Sequence, residues 1–358
     1  MGQTAREVVL AALRREEPER VPRVAGFSPA LLQTFRRETG AARPDDYWDF
    51  EVRDVGFGPT TRKTDFSAFF PKEVLPRIQR VDEWGIGLIP GSTHHFEDYV
   101  HPMQGFTSLG ELEAYPWPDV TADYRRAHLK ENIESLHERG YAARVWPPMD
   151  NGTLFENAWL LRGLETLLMD FMLNEAFAEA LLDQLTEFQV ENARFIASCG
   201  ADVVTTGDDM GTQRGMMMSP DMWRKWFKPR MAKVIAAARA EKPDIHMFYH
   251  SDGDIRPIVP ELIEIGVDVL NPVQPECMDP AEMKRLYGDR LSFWGTIGTQ
   301  TTMPFGAPEE VKRVVRERIE TVGRGGGLVL APTHMLEPDV PWANVVAFFE
   351  AIDDYGRR

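Results

Sequence analysis

Short apolar runs, each closed by Gly, Pro, Asn or Asp, recur along the chain at 21–27, 86–89, 142–147, 202–206, 245–250, 267–271, 291–295 and 327–331. Several are apolar throughout, with no alternation of polar and apolar positions, as expected of parallel strands buried on both faces. Between them, helical spacing of apolar residues predicts an amphipathic pair over 160–198 and helices over 220–241, 255–265, 279–287, 308–324 and 341–355. Strand followed by helix, repeated most regularly after residue 200, is the pattern of βαβ units. The predicted fold is α/β: a distorted (β/α)8 TIM-type barrel forming one domain over 1–358, with an open doubly wound sheet as the alternative. The stretches 28–85 and 90–141 are rich in aromatics, proline and charge, and read as amino-terminal helical and loop insertions over one end of the barrel.

Composition narrows the partners. The formal net charge of -16 disfavours nucleic acid and anionic lipid, which are held by clustered Lys and Arg, and leaves a small molecule as the expected substrate. The two cysteines, Cys199 and Cys277, are too few for a disulfide framework and form no CxxC pair. No stretch reaches the ~18 apolar residues of a membrane span, and residues 1–15 lack the apolar core of a signal peptide. The expected location is cytoplasmic. No Walker or dinucleotide fingerprint is present, and the Gly325-Gly326-Gly327 turn precedes the last strand, the wrong end for a phosphate cradle.

In such a barrel, chemistry belongs to the residues that follow each strand. They are Asp208 and Asp209, His250 and Asp252, Asn271 and Gln274, Thr296, and Thr333 and His334. His250 and Asp252 are two apart on an extended segment and so face the same way. With His334 they would offer N, O and N ligands to zinc or another divalent metal. The alternative is that Asp252 orients His250 or caps the following helix. Asp208 and Asp209 are expected to project into the mouth, sharing a proton or binding a donor-bearing substrate; the plainer alternative has one capping a turn and the other solvated. Glu156 and Asn157 approach from a third direction, with Asp150 and Asn151 as alternatives at the same edge, and Gln213 extends the polar wall. Met216, Met217, Met218 and Cys277 read as packing, and His94-His95 as a loop feature.

These residues sit in segments that resemble the uroporphyrinogen decarboxylase superfamily: GDDMGTQRGMMMSPDMWRKWFKPR at 207–230, HSDGDIRPIVPELIEIGVDVLNPVQP at 250–275, FWGTIGTQ at 293–300 and GGGLVLAPTHMLEPDVPWANV at 325–345. That superfamily joins decarboxylases to methyltransferases that demethylate methoxy or methylamine compounds toward a corrinoid protein or a thiol. The resemblance implies the same distorted barrel. The arginine-bearing RQAGRY motif of the decarboxylases is replaced by RVAGFS at 23–28, which argues against a porphyrin substrate, although His334 matches their late histidine. In the methyltransferase branch the fifth strand ends in His-x-Cys-Gly; here Asp252 stands in place of the cysteine. A wholly N/O ligand set suits a metal used as a hard Lewis acid.

The resemblance therefore implies a methyltransferase-like enzyme acting on a small methoxy or methylamine compound, with the corrinoid supplied by a partner protein. His250, His334, Asp208 and Asp209 would be catalytic. Glu156, Asn157, Gln213, Asn271 and Gln274 would bind substrate, and His250, Asp252 and His334 would hold metal. A decarboxylase acting on a carboxylated substrate is the second reading, and a non-catalytic ligand-binding barrel the third.

Overall fold

A computed structural model describes residues 2–91, 97–148 and 152–357. His94, His95, Asp150 and Asn151 lie outside the described residues. Seven parallel strands form one curled sheet: β1 (Val52–Val55), β2 (Ala142–Val145), β3 (Val203–Gly207), β4 (His246–His250), β5 (Val269–Asn271), β6 (Ser292–Ile297) and β7 (Leu328–Pro332). Their order in the sheet is their order in the chain, so each strand lies beside the next one. The extended segment 21–27 fills the remaining side. Leu330 N–H donates to the Pro22 carbonyl at 2.8 Å, and Val24 N–H donates to the Leu330 carbonyl at 3.1 Å. On its other edge Arg23 N–H donates to the Glu51 carboxylate at 3.0 Å, just ahead of β1. Seven strands and one irregular stave thus complete the expected barrel.

The predicted run 86–89 is not a barrel strand. It belongs to a separate antiparallel sheet of Arg80–Val81, Gly87–Pro90 and Glu97–Val100. The barrel position falls to β1, whose sequence Val-Arg-Asp-Val has no apolar run to reveal it. Both charges have local reasons to be there. Arg53 turns outward and stacks on Tyr141 at 4.3 Å, while Asp54 is the register partner of Arg144 on β2 and pairs with it.

Every stave sends at least one apolar side chain into the barrel interior: Val24, Val52, Ala142, Val203, Phe248, Val269, Trp294 and Val329. The amino-terminal helix Ala5–Leu13 adds Val9 and Leu13 from below. It begins at a capping box in which Thr4 and Glu7 satisfy each other's backbone N–H groups. Its far end is tied down by Gly327 N–H to the Ala12 carbonyl at 2.9 Å and by Ser292 Oγ to the Leu13 carbonyl at 2.8 Å. The floor is therefore sealed, and the barrel opens only at the carboxyl ends of its strands.

The long predicted helical pair over 160–198 is divided by Gly163, at φ 87°, and Asn174 into Phe155–Arg162, Leu164–Leu173 and Glu175–Ser198. Pro229, in the first turn of Lys228–Glu241, similarly marks the break after Pro220–Trp226. Glu175–Ser198 packs on Lys228–Glu241, and Pro308–Thr321 on Trp342–Tyr355, forming the outer layer. Among the described residues no helix is long and apolar enough to cross a membrane.

Candidate active site

A cavity of about 700 Å³ occupies the open mouth. His250, the last residue of β4, is held there by a chain of hydrogen bonds that starts in the backbone. Asn271 Nδ2 donates to the Trp294 carbonyl at 2.7 Å, which aims Asn271 Oδ1 at His250 Nδ1, 2.5 Å away. Nδ1 is thereby the donor, and the Nε2 lone pair faces the cavity. Asp209 Oδ1 lies 3.4 Å and Asp252 Oδ1 3.9 Å from that nitrogen. Asp209, His250 and Asp252 each offer a ligand atom within 4.8 Å of the others.

Two loops meet to make this group. The hairpin Gly211–Thr212 and Gly215–Met216 packs on the turn at Gly253, which has φ 76° and lies so close that a Cβ there would stand 2.4 Å from the Gly211 carbonyl carbon. Asp254 N–H donates to the Thr212 carbonyl at 2.8 Å, and Met210 N–H to Ser251 Oγ at 3.0 Å. Gln274 Oε1 accepts from Gly253 N–H at 2.8 Å. Asp252 N–H donates to Asp209 Oδ1 at 2.8 Å, joining the two loops through the acids themselves.

The site is crowded with carboxyl groups. Burial, reinforced by Asp209, Asp208 and Asp252, pushes the Glu156 carboxyl up to about 9, so it carries a proton at neutral pH. Its Oε2 accepts from Asp209 N–H at 3.2 Å. Burial also raises Asp252, against the pull of His250 and His334. The Asp252 Oδ1 atom is buried without a hydrogen-bond partner among the described residues. An orphaned buried carboxylate oxygen beside an imidazole nitrogen and a second carboxylate is the environment a divalent cation would satisfy. These residues fit such an ion.

The family model described as Uroporphyrinogen decarboxylase (URO-D) matches residues 155–355, the stretch that carries this group. The chain belongs to the uroporphyrinogen decarboxylase family. Members of different activity are similar to it. The methylcobamide:CoM methyltransferase MtaA of Methanosarcina barkeri is 29% identical over 177 residues, 49% of each chain. A uroporphyrinogen decarboxylase of Pseudomonas syringae pv. tomato is 22% identical over 283 residues, covering 76% of this chain and 75% of that one. The chain spans about half the length of the methyltransferase relatives it matches. A solved methyltransferase from Methanosarcina mazei shares the fold along 99% of both chains, with a TM-score of 0.70 at 20% identity.

Within this URO-D family barrel the predicted residues separate. His334 lies exposed on the rim, where it lines both the main cavity and a neighbouring one of about 240 Å³, and it stands outside the close ligand group. Asp209, expected as a catalytic acid, is inside that group. Asp208 does not project into the mouth: its fully buried carboxylate accepts from the N–H groups of Thr153 at 3.0 Å, Leu154 at 2.9 Å and Glu156 at 3.2 Å, anchoring the start of the helix Phe155–Arg162. Burial pushes it up to about 7 against those donors.

Glu156 faces the cavity, whereas Asn157 is buried and donates to the Gly152 carbonyl at 2.7 Å, bracing the turn before the helix. Gln213 is exposed in the hairpin loop and lines neither cavity. Thr296 is buried, and Thr333 Oγ1 lies 3.1 Å from the Thr299 hydroxyl. The Cys277 thiol is raised by burial and rests 3.6 Å from Gln274 Oε1. Sequence reasoning passed over Arg144, Asp54, Trp146, Phe248 and Trp294, which form the cavity's inner wall. An arginine inside the otherwise apolar run 142–147 was the available signal.

Proposed function

We propose that this protein is a methyltransferase-like enzyme that takes a methyl group from a small methoxy or methylamine compound and delivers it to an external acceptor, a corrinoid on a partner protein or a thiol. The observation that carries the proposal is the Asp209, His250 and Asp252 group, two of whose members, Asp209 and His250, line a cavity of ligand size. Methyl transfer leaves the bonding electron pair of the broken C–O or C–N bond on the heteroatom, which must be stabilised as it departs. A divalent ion such as zinc, held by Asp209, His250 and Asp252, would supply Lewis-acid stabilisation of that charge.

The chain's own residues do the rest. Glu156, which holds a proton at neutral pH in the metal-free protein, lies beside Asp209 and is placed to hand a proton to the departing oxygen or nitrogen. Asn271 fixes the tautomer of His250, keeping Nε2 available to the site. His334, on the rim, is placed to meet substrate or acceptor entering from solvent. The similarity to MtaA supports methyl transfer over decarboxylation. So does the scarcity of positive charge: Arg43 and Arg144 are the two arginines lining the cavity among the described residues, too few for a multiply carboxylated tetrapyrrole.

An anaerobic assay of metal-replete protein, with methoxyarenes or methylamines as donors and a reduced corrinoid or a thiol as acceptor, tests the reading. Methylated acceptor is the expected product. Release of carbon dioxide from a carboxylated substrate, with no methyl transfer to either acceptor, would overturn it in favour of the decarboxylase.

A further inference from the structure

The cavity's inner wall holds an ion pair that the ligand group does not use. Asp54 on β1 and Arg144 on β2 are register partners pointing into the barrel. Arg144 Nε and Nη2 donate to the two Asp54 oxygens at 2.6 and 2.9 Å. Its guanidinium lies 4.9 Å from the ring centre of Trp294, 5.1 Å from Trp146 and 5.7 Å from Phe248. The Arg144 side chain is only 14% exposed, and Nη1 makes no hydrogen bond among the described residues. A planar cation that lines the cavity is thus clamped on one edge, set among three aromatic rings, and left with Nη1 free to donate.

That arrangement suits a particular ligand. The pair is formally neutral, but a guanidinium fixed in this way presents oriented N–H groups that a carboxylate can accept at little entropic cost. The surrounding Phe248, Trp294 and Trp146 favour a flat, unsaturated body over a bulky saturated one. Phe248 and His250 are two residues apart on the same face of β4, so the Arg144 layer lies roughly 6.6 Å deeper than the histidine. One para-substituted benzene ring spans about that depth.

We infer that Arg144, held by Asp54, is a recognition subsite for a carboxylate carried on a flat ring, and that the substrate is therefore an anionic methoxyarene in preference to a methylamine. The inference rests on the reading of this cavity as the methyl donor's site. The methoxy end then lies toward Glu156 and His250, and the acid end points down the barrel.

Binding can be measured without turnover, because Trp146 and Trp294 stand in the wall and their fluorescence reports occupancy. The full chain is titrated with 4-methoxybenzoate, 4-methoxybenzamide, 4-methoxybenzylamine and cyclohexanecarboxylate. The benzoate is expected to bind about tenfold or more tightly than the other three, a charge-assisted pair being roughly twice as strong as a neutral one. Arg144→Met should bring benzoate and benzamide to within about twofold, with folding checked by circular dichroism. Asp54→Asn removes the compensating charge and should widen the preference for the anion.

Equal binding of benzoate and benzamide, strongest binding by the benzylamine, no quenching by any probe, or a preference that survives Arg144→Met would each overturn the inference. Benzoate selectivity without methyl transfer would leave the subsite standing and remove the reaction. Methyl transfer without that selectivity would do the reverse.

Discussion

Asn271 makes the smallest structural decision on which the site depends. Its amide is fixed by the Trp294 carbonyl, and it in turn decides which nitrogen of His250 bears the proton. Asn271→Leu removes that constraint while keeping similar bulk. Loss of a partner behind a ligating histidine commonly lowers metal affinity by ~10 to 100-fold. Zinc titration against a competing chelator should show a drop of that size, and unchanged affinity would remove His250 from the ligand set.

Glu156 gives a second test at the same scale. Its folded pKa of about 9 lies above the ordinary carboxyl value of 4.5, so metal-free folded protein holds a proton that the unfolded chain releases. The stabilisation this provides is complete below about pH 4.5 and is lost as pH rises toward 9. Thermal melts of chelated protein should show stability falling through that window. Glu156→Gln, which keeps the hydrogen-bonding shape without the titration, should flatten the fall. An identical slope in the variant would mean that Glu156 does not hold the proton.

Among the elements, the amino-terminal helix does most to define the cavity, because it closes one end of the barrel. Leu13 is wholly buried against the inward residues of the strands. Leu13→Ala should cost about 2–5 kcal/mol in denaturant unfolding, the range for a truncated core leucine. A loss below ~0.5 kcal/mol, typical of a surface change, would show that the floor does not depend on the plug. In the sequence, nothing about residues 1–15 signalled that the stretch seals the barrel.

Strands β2 to β7 were legible because each is an apolar run with a turn residue behind it. β1 was not, since a strand that stacks one charge outside on Tyr141 and pairs another inside with Arg144 has the polarity of a loop. The run 86–89 was misleading for the converse reason: its apolar residues serve a small sheet outside the barrel.

For the molecule as a whole, the sequence conveyed the barrel and the neighbourhood of the site better than the partnerships within it. His250 and Asp252 were found together because they are two residues apart. Asp209 was recognised only as an acid, since its place beside them depends on the loops after β3 and β4 meeting at Gly211 and Gly253. His334 follows the last strand as expected, yet it stands on the rim, a distinction that strand order cannot supply.

The irregular stave at 21–27 has a consequence for how the molecule is made. It leaves the ribosome before the seven strands of the sheet, and the strand it pairs with, β7, leaves after the other six. Until β7 arrives, the nascent protein is a curled sheet with an unpaired edge, the surface that invites association with another chain. Closure then joins the first stave to the last in one late step, so the chamber above the plug comes into being only once β7 has been made.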